Sequence, residues 1–364
     1  MTHRGRPWSW GVALLACACG SGGEEPAGFS GAGGAGGADA GDASQPVDAG
    51  FDWPDAPPAG DGSPGPSPGF DASADGPAII TCAGKSGARG RHDLRVQTTG
   101  LPRSSLLVVP DSYDPARGAP LVLNFHGFSS AGWQQEILTG MSSQAAARGV
   151  LVAYPEGIAT SWNAGDCCGT AWIDAVDDVG YVRTLIDRIA EEWCVDPRRV
   201  YATGFSNGGF LSHRLACELS DRIAAIAPVS GVIGIDPAGC VPARPIPVLH
   251  IHGTSDPLVP YGGGTPVLPQ LGVGLVFRSV ADTAKHWRTR NGCSGSEVEF
   301  YAHGDTACVE WPDCSGGVRT ALCTVEGGGH TWPSGLPIPM GKTTKDLDAT
   351  AAILDFFLSQ PMPD

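Results

Sequence analysis

Apolar positions between Ile79 and Asp364 fall into two alternating patterns. Short continuous runs rich in β-branched residues read as buried strands: Leu121 to Phe125, Val150 to Tyr154, Val200 to Thr203, Ile223 to Val229 and Pro247 to Ile251. Longer segments between them carry a helical period. The clearest runs from Val176 to Trp193, where Val176, Val179, Val182, Leu185, Ile186, Ile189 and Trp193 share one face. Helices are also predicted over Trp133 to Arg148, Asn207 to Leu219, Leu275 to Arg290 and Ala349 to Ser359. Arg95 to Gln97 and Leu106 to Val109 read as an opening pair of strands, Val298 to Tyr301 and Thr320 to Val325 as late ones. Strand–helix alternation predicts an α/β fold, a doubly wound, mostly parallel sheet flanked by helices over residues 79–364.

Neither pattern holds upstream. From Gly20 to Ala78 the chain is mostly Gly, Ala, Pro, Asp and Ser, with no Lys or Arg from Pro7 to Gly84. So little apolar surface cannot offset the entropy of ordering, and residues 20–78 are expected to be a disordered tether. Arg4 and Arg6 precede an apolar run from Trp8 to Ala18 that is too short to span a bilayer, which reads as a secretory signal over 1–19. Leu14-Leu15-Ala16-Cys17 resembles a bacterial lipobox, in which Cys17 would be lipidated and hold the protein at the outer cell surface. Ala16-Cys17-Ala18 also fits ordinary cleavage, and Cys19 is an alternative lipid acceptor. The net charge of -15 excludes a basic nucleic-acid footprint.

Cysteine usage fits export. Besides Cys17 and Cys19, the folded part holds Cys82, Cys167, Cys168, Cys194, Cys217, Cys240, Cys293, Cys308, Cys314 and Cys323, an even set that reads as a disulfide framework. Cys308 and Cys323 flank a turn-like stretch symmetrically and would face each other in a hairpin. Cys167 and Cys168, being adjacent, are expected to seek two different partners. There is no C-x-x-C, and no metal or other cofactor is expected.

Gly204-Phe205-Ser206-Asn207-Gly208 matches G-x-S-x-G, the sharp strand-to-helix turn that exposes a nucleophilic serine. Gly65-Pro66-Ser67-Pro68-Gly69 matches too, but no strand precedes it and no helix follows. A serine hydroxyl needs a base to take its proton. In the order Ser, acid, His, the acid is Asp256 beyond the strand ending in His250-Ile251-His252, and the base is His330 after three glycines. The glycines suggest a loop with few steric limits. His250 and His252 read as structural. Backbone N–H groups of Asn207 and Phe128 are the expected oxyanion donors. Trp162 and Trp332 flank the site loops and are candidates either for stacking on a sugar or phenolic ring or, equally, for packing the loop walls.

Taken together, Leu123-Asn124-Phe125-His126-Gly127, Ser161-Trp162-Asn163-Ala164-Gly165, Val176-Asp177-Asp178-Val179, Val200 to Gly209, His252 to Asp256 and Gly327 to Pro333 resemble the polyhydroxybutyrate-depolymerase-like esterases, which include secreted feruloyl and acetylxylan esterases. The resemblance spans about Cys82 to Leu358. It implies an α/β-hydrolase fold and a serine carboxylic-ester hydrolase working through an acyl-enzyme on Ser206, Asp256 and His330. The expected substrate is a feruloyl or acetyl ester of plant-wall xylan; a hydroxybutyrate polyester is the alternative. No polymer-binding module is expected within the chain, which favours soluble or loosely packed esters. A non-catalytic surface adhesin on the same scaffold is the rival from another class. A serine peptidase would need a gating domain for which no residues remain.

Overall fold

The structure is a computed structural model, and it describes residues 65–70, 80, 82–98, 100–265 and 275–363. The expected signal at 1–19, Cys17, Cys19 and most of the expected tether lie outside the described residues.

Ten strands form one sheet: β1 (Gly90–Val96), β2 (Arg103–Val109), β3 (Ala119–Phe125), β4 (Leu151–Pro155), β5 (Val195–Phe205), β6 (Ala225–Val229), β7 (Val248–Gly253), β8 (Val298–His303), β9 (Thr306–Glu310) and β10 (Thr320–Val325). Their spatial order is β1-β2-β4-β3-β5-β6-β7-β10-β9-β8. The six central strands, β4 through β10, pair in parallel, and an antiparallel ribbon closes each edge. Every residue of β3, β4, β6 and β7 is buried, as continuous apolar runs require of strands covered on both faces.

Alternate residues of these strands divide between two cores. Leu121, Leu123, Leu151, Ala153, Val200 and Ala202 belong to one, with Leu185, Leu215 and Trp287 from α4 (Asp178–Glu192), α5 (Asn207–Glu218) and α6 (Val280–Arg290). Val122, Val152, Tyr154 and Tyr201 belong to the other, with Leu138 from α1 (Gly132–Thr139), Met141 from α2 (Met141–Ala146) and Phe356 and Phe357 from α7 (Ala349–Leu358). The period of two in the strands thus sorts side chains to opposite helical layers. The chain winds from β3 outward to β4 and from β5 the other way to β6 and β7, so the winding reverses between β3 and β5. Ligands gather at such a reversal, beyond the carboxyl ends of the strands.

Several expectations need correction. The helix expected over Trp133 to Arg148 is two short helices, because Gly140 takes φ 58° and caps α1. Leu275 to Phe277 is not helical: Phe277 bridges Gly264, and α6 starts only after Ser279, whose hydroxyl accepts the Asp282 N–H. A short helix that periodicity could not reveal, α3 (Gly169–Ile173), follows the two adjacent cysteines. Residues 65–70 of the expected tether are docked on the folded body. The Phe70 ring lies 5.7 Å from Phe300 and 5.4 Å from Phe356, the Arg319 guanidinium stands 4.5 Å over it, and Pro66 O accepts the Asp348 N–H. The expectation of disorder over 20–78 therefore does not hold at residues 65–70, where an aromatic finds an apolar seat.

The cysteines pair as Cys82–Cys194, Cys167–Cys168, Cys217–Cys240, Cys293–Cys314 and Cys308–Cys323. Cys308 and Cys323 are register partners across β9 and β10, as the hairpin reading required. Cys167 and Cys168 bond to each other instead of to two partners. Cys217 and Cys240 are bonded together, so neither offers a thiolate to the nearby His286.

Candidate active site

β5 ends at Phe205, and α5 begins at Asn207. Ser206 between them has φ 54° and ψ −120°, a conformation costly for a residue with a Cβ. The surroundings dictate this turn. A Cβ on Gly204 would lie 2.6 Å from the Gly208 carbonyl carbon and 2.7 Å from Phe125 O. One on Gly208 would meet the end of β3 equally closely. The two glycines let α5 start hard against β3, which lifts Ser206 to the sheet's edge. Ser67 of the second G-x-S-x-G match only bonds its neighbour Pro68 O, at 3.3 Å.

β7 ends at Gly253, and Asp256 follows, 5% exposed. Its Oδ1 accepts the Leu258 and Val259 N–H groups at 2.9 and 2.8 Å. Its Oδ2 lies 2.7 Å from His330 Nδ1. A buried carboxylate would ordinarily be pushed toward protonation. Here the two histidines, His330 and His252, outweigh burial and hold Asp256 below the usual carboxylate range.

His330 follows β10 on the loop of three glycines, which is pinned rather than free. Gly328 packs against Gly253, where a Cβ on Gly253 would collide with the Gly328 backbone and one on Gly328 with the Val325 side chain, and Gly329 N–H bonds Lys342 O at 3.0 Å. His330 N–H donates to Met340 O at 2.9 Å. The glycines buy close packing that fixes the imidazole, not the latitude expected of them. The His330 ring lies 4.6 Å from the Phe205 ring, next to Ser206. Ser206, Asp256 and His330 are thus gathered beyond the carboxyl ends of β5, β7 and β10.

The loop after β3 brings Gly127 to the same place: a Cβ there would be 3.4 Å from Ser206 Cβ. Among the described residues, the N–H groups of Phe128 and Asn207 donate to no protein acceptor. Two free donors beside a serine can receive an anionic oxygen. His126 sets this loop. It is completely buried, its Nδ1 bonds Gly127 O at 2.7 Å, and its Nε2 accepts the Gly157 N–H at 3.0 Å. Nδ1 therefore carries the hydrogen, and burial pushes the imidazole down to about 4, keeping it neutral.

Of the two readings of Trp162 and Trp332, the structure favours packing over stacking on a ligand. Both rings are 0% exposed. Trp162 Nε1–H donates to His126 O at 2.9 Å, and its backbone N–H and C=O are held by the Asn207 side chain at 2.7 and 3.1 Å. Trp332 donates to Thr350 Oγ1 at 3.0 Å inside the core. Trp162 is a strut between the loop after β3 and the helix that follows Ser206, and Trp332 anchors the His330 loop to α7. Sequence position placed both beside the motifs, but burial is a property of the fold. The Asn207 side chain and His126 were missed as supports because amide and imidazole side chains carry no spacing signal.

Asp178 joins this support. It is 0% exposed, bonds Arg103 at 2.8 Å and accepts the Asn163 N–H at 2.7 Å, tying the Trp162 loop to β2. Burial raises its carboxyl despite the Arg103 charge.

A phospholipase/carboxylesterase family model matches residues 175–270, which include Ser206 and Asp256. Over 235 residues the chain is 36% identical to feruloyl esterase B of Piromyces equi, covering 63% of this chain and 42% of that protein. The chain therefore spans about two fifths of the length of that relative. It is 35% identical over 260 residues to NocK of Nocardia uniformis subsp. tsuyamanensis, assigned as an esterase, covering 66% of this chain and 74% of that protein. Among solved structures, Thermogutta terrifontis esterase 2 phosphorylated by paraoxon superposes with a TM-score of 0.50 at 15% identity, covering 74% of this chain and 94% of that one, a likeness of fold.

Proposed function

The chain belongs to the same esterase family as NocK and feruloyl esterase B, and from that premise we propose that it is an exported serine esterase cleaving feruloyl or acetyl esters carried on plant-wall xylan. The observation that carries the reading is the buried Asp256–His330 contact of 2.7 Å, set beside a strained Ser206 at the reversal of the sheet. Because Asp256 accepts at Nδ1, His330 presents Nε2 as a base. His330 takes the Ser206 proton as Oγ adds to the ester carbonyl. The oxyanion is received by the N–H groups of Asn207 and Phe128. His330 then protonates the departing sugar oxygen, leaving an acyl group on Ser206, and water repeats the sequence to release the acid.

The aligned relative named as a feruloyl esterase supports the substrate class. Five disulfide pairs support export. Retention at the outer surface through a lipid on Cys17 is the finer reading, and labelling with a fatty-acid analogue before and after Cys17→Ser tests it. The substrate is tested by kcat/KM for methyl ferulate, an acetylated xylo-oligomer and a hydroxybutyrate trimer. A preference of about tenfold, or about 1.4 kcal/mol, for the hydroxybutyrate ester would overturn the plant-wall reading.

A further inference from the structure

His252 is 1% exposed near the end of β7, four residues before Asp256. Its bonding fixes its tautomer. Nε2 lies 2.8 Å from Val259 O, which can only accept, so Nε2 carries the hydrogen. Nδ1 is then an acceptor and receives the His250 Nε2–H at 3.1 Å. The same His252 Nε2–H faces Asp256 Oδ2 at 3.4 Å, the very oxygen that accepts from His330 at 2.7 Å. One carboxylate oxygen therefore sits between two imidazoles, while the other is tied to two backbone amides.

We propose that His252 is a positioning residue of this site, its Nε2–H shared between Val259 O and Asp256 Oδ2 so as to set the aim and basicity of Asp256 toward His330. The inference rests on the roles given above to Ser206, Asp256 and His330. A purely structural histidine would be satisfied by Val259 O alone and would have no reason to face the carboxylate.

The aromatic neighbours of His252 bring it no further charge. His250 stacks on it at 5.3 Å between ring centroids, and His213 of α5 lies 5.5 Å beyond His250. Burial pushes both of these well down, His213 to about 3, so neither supplies a cation at neutral pH. Tyr261 meets His252 edge-on at 5.9 Å and is bonded to Thr324 of β10. Asp256 faces it directly, and His330 stands across that carboxylate.

Three substitutions separate positioning from packing. His252→Leu removes the donor, His252→Asn keeps polarity but cannot reach Asp256, and His252→Gln places an amide N–H where Nε2–H stood. Each is assayed with a short-chain chromogenic ester across the pH range, beside the parent protein and Ser206→Ala. Without the donor, Asp256 attracts positive charge on His330 more strongly, so the base stays protonated to higher pH. Leu and Asn should lower kcat about tenfold with KM little changed, and move the acid limb of the profile up by about half a pH unit. Gln should restore the parental limb. If the Leu variant does not fold, the Asn and Gln pair decides. An unmoved acid limb in Leu or Asn, whatever their kcat, or a Gln variant that moves like Asn, would overturn the proposal. Parental activity in Ser206→Ala would instead overturn the underlying reading, and so is told apart from it.

Discussion

Acidification from pH 7.5 to 5.0 should destabilise the fold by about 4 kcal/mol through two buried histidines alone. His126 and His213 are both completely buried and bonded as neutral imidazoles. His126 accepts the Gly157 N–H, and His213 Nδ1 accepts the Trp287 Nε1–H at 2.9 Å, so neither lone pair can take a proton without losing a bond. Their folded values lie at about 4 and about 3. Unfolded, each returns to about 6.5. The unfolded chain thus binds the extra protons, and stability falls as pH drops below about 6.5 and continues falling toward the folded values. At pH 5.0 each histidine is about 1.5 units below its unfolded value, which at 1.36 kcal/mol per unit is about 2 kcal/mol. Asp178 and Glu156, raised by burial, act with the opposite sign, but only closer to the carboxylate range. Urea unfolding with the disulfides intact, at both pH values, measures the difference. His213→Gln removes one titrating group, and its pH dependence should shrink by about 2 kcal/mol. Equal midpoints for the parent at the two pH values, or a variant as pH-sensitive as the parent, would refute the reasoning.

Other consequences follow from single contacts. Asn207→Ala frees the Trp162 backbone and should cost about 1–3 kcal/mol in urea unfolding, together with a clear loss of kcat on a chromogenic ester. Trp332→Phe removes the bond to Thr350 and part of a buried ring, so its effect on kcat/KM should be equal for methyl ferulate and for an acetyl ester, as expected of a ring sealed in the core. Arg103→Met strands the buried Asp178 charge and should cost about 3–5 kcal/mol by the same unfolding assay. Phe70→Ala should lower stability by about 1–2 kcal/mol, and trimming the chain to begin at residue 79 should do the same while trimming to residue 64 should not.

Strands β3 through β7 and β10 were legible because their apolar runs are continuous and bounded by turn residues. Helix limits were less so. A glycine inside an amphipathic stretch is tolerated in many helices, and only its left-handed φ at Gly140 reveals the break between α1 and α2. The five residues of α3 are too few to show a period. Ser206, Asp256 and His330 could be singled out because each follows an apolar strand in motif context, and the fold brings the ends of those strands together. What supports them could not. The roles of His126, His252 and the Asn207 side chain depend on which buried atom faces which. Between stacking and wall-packing for Trp162 and Trp332 the sequence leaves the choice open for the same reason, since a tryptophan beside a motif reads alike whether its ring is open or sealed. Cys167 and Cys168 were sent to separate partners by their adjacency, and the fold bonds them together.

The central claim is that Ser206 carries the acyl group. Incubation with a fluorophosphonate ester, which phosphonylates serines activated by a base, followed by peptide mass mapping, reads this directly. A single adduct on Ser206, absent from Ser206→Ala and strongly slowed in His330→Gln, is the predicted result. An adduct on another serine, or retained ester hydrolysis with Ser206 unmodified, would contradict the account.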